Sequence, residues 1–247
     1  MDNENIIDTF TEMAPNYEET VNSELISFWG LGYEEFINTL LDLTPIRHEL
    51  KILDIATGTC VIPIKLLEKK DCDHHIHGLD ITYEMLNHAK RNLKNHNNQG
   101  AVKLTCASAM EMPYAKRSFD LAFCGLATHH MNVSLLLEEV YRVLRYGGQL
   151  SFADVGSTKL WNFPGVEWII RLLAFVYYVF KEGPNRAWAE ASAISNVRSA
   201  EQWNSLLNDL NFKNISIKKL ESKYIWIPSP LVILAEKLEE ENNDKTK

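Results

Sequence analysis

The sequence predicts an α/β chain built on one seven-stranded, mostly parallel sheet with its last strand antiparallel, helices on both faces and an α-helical lid. Two observations predict it. From Lys51 onward, short apolar runs at 51–56, 75–80, 102–106, 119–125 and 149–154 alternate with helical segments at 61–70, 83–95 and 134–145. Such alternation makes βαβ units, and βαβ units make parallel strands. Near the end, runs at 213–220 and 223–234 are joined only by Glu221-Ser222. That link is too short for a crossover, so these two strands pair antiparallel.

The elements follow in order. The first 50 residues read as helical. Leu25, Phe28, Trp29 and Leu31 form one apolar face, Phe36, Ile37, Leu40 and Leu41 another, and Pro45 ends the segment. The helix at 134–145 carries Leu136, Val140, Val143 and Leu144 on one face, with Gly147-Gly148 placed to stop it. The rhythm breaks at 156–198, which holds Trp161, Phe163, Trp168, Phe175, Tyr177, Tyr178, Phe180 and Trp188. Here Ile169, Leu172, Leu173, Val176 and Phe180 have helical spacing. They suit plain core, a pocket wall, or an interfacial helix that draws substrate from a membrane; the segment's low positive charge argues against the last. A helix at 200–210 follows, capped by Ser199. The chain thus divides into a helical cap (1–50), a binding core (51–155), an aromatic-rich lid (156–198) and a closing segment (199–247).

Bulk properties narrow the function. Net charge is −8 over 247 residues, and an acidic surface repels phosphate backbones, so nucleic acid is not an expected partner. The four cysteines, Cys60, Cys72, Cys106 and Cys124, form no CxxC pair and read as reduced thiols. The opening MDNENIIDTF lacks an export signal's basic and apolar regions, so a cytoplasmic location is expected. The most apolar stretch, Val166 to Phe180, is too short and too charged to span a bilayer, so no stable membrane insertion is expected. The tail from Glu236 to Lys247 is a charge run that reads as a frayed helix end.

The sharpest motif is Lys51-Ile-Leu-Asp-Ile-Ala-Thr-Gly-Thr-Cys60, a strand running into a small-residue turn and a helix. Ligands of open α/β sheets bind at this carboxyl edge. A dinucleotide would ask for glycines at Ala56, Gly58 and Val61; only Gly58 is one, and Asp54 would repel a pyrophosphate. Asp54 suits an ammonium group instead, directly or through water, unless it only caps the next helix. Asp80 ends the second strand 26 residues later, where an acid accepts hydrogen bonds from ribose hydroxyls. Ile81 is placed to pack on a flat base. Asp80 and Thr82 also compete to cap the helix that follows.

Residues 51–60, Asp80, Met112-Pro113-Tyr114, Ser118-Phe119-Asp120 and Val143-Leu144-Arg145-Tyr146-Gly147-Gly148 together resemble the class I methyltransferases that use S-adenosylmethionine (SAM). The branch is that of ubiquinone and menaquinone biosynthesis and its small-molecule relatives. Phe10-x-x-Met13-Ala14-x-x-Tyr17 and Ser199 to Phe212 are similar to that branch as well, so the resemblance covers roughly residues 8–235. It implies a Rossmann-like fold with SAM over Asp54, Ala56, Thr57 and Gly58. It also implies Asp80 and Ile81 at ribose and adenine, Ser108 and Ala109 at the adenine edge, Cys124 to Leu126 near the methionine portion, and Tyr17 closing from above. The chain departs from the pattern at Cys60 and at Ser108, where the family usually carries Asp, which implies a looser hold on adenine.

The implied activity moves a methyl group to O, N or C of a small, largely apolar metabolite of secondary-metabolite or quinone-like type, leaving S-adenosylhomocysteine (SAH). His129 and His130, after the fourth strand, are candidates for a general base or for packing. Cys72, His74, His75 and His77 invite a zinc reading, but 74 and 75 point to opposite faces of a strand; a solvated edge strand is expected and no metal. A non-methylating cyclisation on this fold, or a silent partner subunit, are the other readings. A homodimer is left open.

Overall fold

The computed structural model describes residues 3–69, 74–158, 161, 163–222 and 227–239. Three helices lead in: α1 (Asn3–Met13), α2 (Tyr17–Trp29) and α3 (Tyr33–Leu43). The core follows as β1 (Lys51–Ile55), α4 (Val61–Glu68), β2 (His75–Asp80), α5 (Tyr83–Asn95), β3 (Val102–Cys106), β4 (Phe119–Gly125), α6 (Val133–Val143) and β5 (Leu144–Val155). Next come α7 (Val166–Lys181), α8 (Pro184–Ala193) and α9 (Ala200–Asp209), and the chain closes with β6 (Phe212–Lys219) and β7 (Pro230–Lys237).

The strands form one sheet in the order β3-β2-β1-β4-β5-β7-β6. β7 runs antiparallel to both β5 and β6; the other pairings are parallel. The centre is apolar on both faces, as a covered parallel sheet requires. Leu53, Ile55, Ala122 and Cys124 pack on one side with α6 and Trp203 and Leu207 of α9. Ile52, Leu121 and Phe123 pack on the other with Phe36, Ile37, Leu40 and Leu41 of α3 and with residues of α4 and α5. Ser199 caps α9 as expected, in a capping box with Gln202.

Several expectations are corrected. α6 ends at Val143, and the chain enters β5 directly at Leu144. The glycine pair therefore lies inside a strand. Opposite Phe119 to Leu121 of β4 the partner run extends from Leu144 to Gln149, and the surplus residues bulge out. Gly147 takes φ 74° there, a left-handed geometry that side chains resist. α4 stops at Glu68 rather than 70. The last strand starts at Pro230 rather than 223; residues 223–226 lie outside the described residues, as do Cys72 and the tail from 240. β2 is an interior strand, and His77 packs edge-on against Tyr114 and Phe119. Burial and nearby cations push the His77 imidazole down to about 4.

The apolar stripe of α7 is not core. Leu172, Leu173 and Phe180 are 64%, 64% and 86% exposed, and Ile169 and Val176 are exposed with them. The helix turns Ile170, Ala174, Tyr177 and Tyr178 toward a cavity described below, and of the stripe Leu173 also reaches its wall. No described helix is long and apolar enough to cross a membrane.

Candidate active site

The turn after β1 explains its own residue choice. Ala56, Gly58 and Cys60 all have left-handed backbone, with φ of 52°, 52° and 70°. Alternating left-handed residues fold the chain tightly enough for the Thr57 N–H to donate to the Leu79 carbonyl and the Cys60 N–H to the Thr57 carbonyl. Glycine is the residue that takes this geometry without strain; each side chain here costs about 1–3 kcal/mol. Cys60 is wholly buried and fills a core position, so its thiol packs away from the turn's open side. Ala56→Gly removes only a methyl group and is expected to raise stability by about 1 kcal/mol, or a few degrees in Tm by calorimetry.

Asp54 lies beneath the turn, 1% exposed. Its Oδ2 accepts a 2.6 Å bond from the Thr57 hydroxyl, which aims Thr57 inward, and its Oδ1 is buried without a partner. Asp54 does not cap α4. Burial pushes its carboxyl up to about 7. Asp80, at the end of β2, accepts from the Gly58 N–H at 2.9 Å and from the Thr82 N–H at 2.8 Å. Burial raises its pKa too, against those two bonds.

The carboxyl ends of β1 to β4 border a cleft lined by Tyr17, Ala56, Gly58, Asp80, Ile81, Ser108, Ala109 and Leu126, among others. It lies where the strand order reverses between β1 and β4, the usual ligand position in open α/β sheets. Its free space is about 80 Å³. A Cβ on Gly58 would meet nothing closer than the Tyr17 ring at 3.9 Å, so Tyr17 forms the roof. The Ser108 hydroxyl accepts from the Met110 N–H. Three expected residues do not border the cleft: Asp54, buried beneath the turn, Thr57, turned toward Asp54, and Cys124, whose alternation along β4 sends it into the core.

A second cavity of about 520 Å³ adjoins the first. Phe10, Tyr17, Leu126 and His130 line both. The rest of its wall is mostly apolar, including Phe28, Trp29, Trp161 and Tyr177, with one polar corner. In that corner His130 Nε2 lies 3.5 Å from Glu190 Oε1, and His130 Nδ1 is buried without a hydrogen-bond partner. Arg186 Nη2 is 2.9 Å from Glu190 and 3.4 Å from Glu24. His129 lies outside the cleft and borders this cavity. Its Nδ1 is 2.6 Å from Asp154 Oδ1, while Asp154 Oδ2 takes the Thr128 hydroxyl. Burial disfavours the charged form of both histidines, but Asp154 more than offsets it for His129, whose pKa is raised. For His130, burial and the neighbouring His129 outweigh the opposing pull of Glu190 and hold its pKa down. Arg186 holds Glu190 well below the usual carboxylate range in spite of its burial. His129, His130 and Glu190 are close enough together to hold a metal ion, but the guanidinium at 2.9 Å already neutralises that carboxylate.

Residues 53–152 match the methyltransferase domain family. The chain is 25% identical over 224 residues to demethylmenaquinone methyltransferase of Lactobacillus johnsonii, covering 86% of each. It is 30% identical over 166 residues to the Listeria welshimeri enzyme of that name, covering 66% of each. This chain belongs to the class I SAM-dependent methyltransferases, in the quinone-biosynthesis type. The same methyltransferase fold appears in the crystal structure of the [4+2]-cyclase SpnF, with a TM-score of 0.64 and 16% identity over 84% of this chain and 81% of that one. The methyltransferase thus takes SAM as its methyl donor.

Sequence reading missed the polar corner of this methyltransferase. Asp154 carried a usable signal, since it nearly ends a strand at the ligand edge as Asp54 and Asp80 do. Glu24, Arg186 and Glu190 carried none. Arg186 and Glu190 are four apart on α8, the spacing of an ordinary surface pair.

Proposed function

We propose that this enzyme holds SAM in the cleft at the ends of β1 to β4 and methylates a small, largely apolar hydroxylated ring compound in the adjoining cavity. One observation carries the reading: an aromatic-walled cavity of about 520 Å³, within the usual size range for small-molecule sites, shares His130 and Leu126 with the cofactor cleft.

The residues fit the cofactor. Asp54 offers an unpartnered buried carboxylate oxygen for an ammonium group, directly or through water. Asp80 offers carboxylate oxygens to ribose hydroxyls. Ile81, Ala109 and Met85 give an apolar seat for adenine, and Ser108 borders its edge. With about 80 Å³ free against the roughly 300 Å³ of a small ligand pocket, entry of SAM displaces the cover formed by α1 and Tyr17. SAM supplies a methyl group on a sulfonium centre.

The protein's part is alignment and proton removal. Alignment of this kind lowers a barrier by as much as about 7–11 kcal/mol. His130 stands at the junction of the two cavities as the general base, and its depressed pKa keeps it neutral near pH 7. His129, tied to Asp154, supports it and does not itself take the proton. Removing a ring hydroxyl's proton puts charge on that oxygen and on the adjacent ring carbon, so one base serves either O- or C-methylation. The L. johnsonii and L. welshimeri relatives are named for demethylmenaquinone, which motivates a quinol-type acceptor.

The test is SAH release with SAM and a panel of short-tailed demethylmenaquinols and hydroxyarenes. Methylated product with stoichiometric SAH supports the reading. Conversion of an acceptor without SAH would establish instead a cyclisation on the same fold. His130→Asn is expected to lower kcat by about a hundredfold or more with SAM affinity unchanged.

A further inference from the structure

We propose that Glu190, reaching in from α8, is a positioning residue for His130: it fixes the ring as the Nε2–H tautomer and leaves Nδ1 to receive the acceptor's proton. The proposal rests on the reading of His130 as the base. Three observations point to it. Glu190 Oε1 is 3.5 Å from Nε2, close enough to tighten into a hydrogen bond when the ring gains charge. Nδ1 is buried with no hydrogen-bond partner of its own, a costly state that a substrate hydroxyl relieves. Phe10 meets the imidazole edge-on with centroids 5.2 Å apart, so the ring is clamped on another side.

Arg186 makes the arrangement stable. It lies 2.9 Å from Glu190, and Glu24 and Glu182 approach it from α2 and from the end of α7, at 3.4 and 3.6 Å. A single guanidinium thus keeps Glu190 ionised inside a mostly apolar cavity. Of the other charged groups, Lys181 pairs with Glu24 and Glu182. His129, its ring 4.2 Å from that of His130, is answered by Asp154. Among the described residues, the carboxylate paired with the His130 ring is Glu190.

In the step itself, the acceptor's O–H proton passes to His130 Nδ1. In O-methylation the electron pair so freed forms the new O–C bond. In C-methylation it moves into the ring C–O bond and drives a ring π pair into the new C–C bond, and the ring C–H proton then leaves to solvent as the imidazolium returns its own proton to the oxygen. In either case the carbon–sulfur bond breaks with its pair staying on sulfur. The charge left on the imidazolium faces the Glu190 carboxylate. Glu190 and Arg186 come from α8, while Glu24 comes from α2, so the apparatus joins the leading helices to the segment after β5.

Glu190→Gln tests this, with Glu190→Asp as the conservative variant. Gln leaves Arg186 with two carboxylates, so the chain is expected to fold. Expected for Glu190→Gln are a kcat lowered about tenfold or more and SAM affinity within twofold of the unaltered protein. The acid limb of kcat is expected to move to lower pH, because the imidazolium has lost its counter-charge. Glu190→Asp should recover part of the rate. ¹⁵N-histidine NMR of the SAH-loaded protein reads the tautomer with no acceptor present: His130 should be Nε2–H in the unaltered protein and a mixture in Glu190→Gln. Unchanged spectra together with an unchanged acid limb would overturn the proposal. The two levels separate cleanly. Full activity in His130→Asn defeats the general-base reading; loss there, with Glu190→Gln unaffected, defeats only the positioning role.

Discussion

Asp80→Ala is expected to weaken SAM binding by about a hundredfold or more in calorimetric titration, the largest loss for any single residue of the cleft. Asp80 does two jobs. Its carboxylate accepts the Gly58 and Thr82 N–H groups, which ties the end of β2 to the turn after β1. In the proposed binding mode it also offers its oxygens to the ribose hydroxyls. Hydrogen bonds to a charged group contribute about 1.5–3 kcal/mol each, so losing two of them accounts for a loss of this size. Alanine also leaves two buried N–H donors unsatisfied, and the turn that seats the cofactor loosens. Asp80→Asn keeps the shape and one acceptor oxygen and should fall between the two. Binding by Asp80→Ala within threefold of the unaltered protein would place the ribose elsewhere.

The second large effect is at Asp54, and its sign depends on ligand and pH. In the folded chain burial pushes this carboxyl up to about 7, well above its ordinary value near 4. Folding therefore favours the protonated form. Between pH 4 and 7 the folded state holds a proton that the unfolded state has released, so the contribution of Asp54 to stability falls as pH rises. Asp54→Asn mimics the protonated group. Without SAM it is expected to melt several degrees above the unaltered chain at pH 8, with the difference vanishing toward pH 4. SAM reverses the balance, since its ammonium group favours the ionised carboxylate. Titrations below pH 7 should then show proton release on binding, read from the dependence of the heat on buffer ionisation enthalpy. Asp54→Asn should lose both that release and most of the SAM-induced rise in Tm. A melting difference independent of pH would show that the carboxyl is already ionised in the free protein.

These two carboxylates were legible in the sequence because the sheet edge is written locally. A run such as Lys51 to Ile55 is buried on both faces, so its apolar residues mark a central strand and the residue at its end marks the ligand edge. The small residues at Ala56, Gly58 and Cys60 are required by three left-handed backbone positions in a row of five, which is again a local demand. The antiparallel pairing of β6 with β7 followed from a short connection.

Tertiary structure alone decided the rest. Leu172 and Phe180 have the spacing of a buried stripe, yet they face solvent, because periodicity gives the angle between side chains and not which side meets the core. Gly147 and Gly148 look like a helix stop and are a bulge within β5, since only pairing with β4 shows where the surplus residues go. Cys124 sits one place from the cleft and points away from it, a matter of strand alternation relative to the neighbouring helices. The polar corner is the clearest case. Glu24, His130, Asp154 and Glu190 come from a leading helix, a turn, a strand end and the lid, up to 166 residues apart in sequence. What the sequence determined by itself is the fold and the cofactor edge, where each demand is met by neighbours in the chain. The polar corner depends on which distant charges are buried together, and only folding brings them within reach.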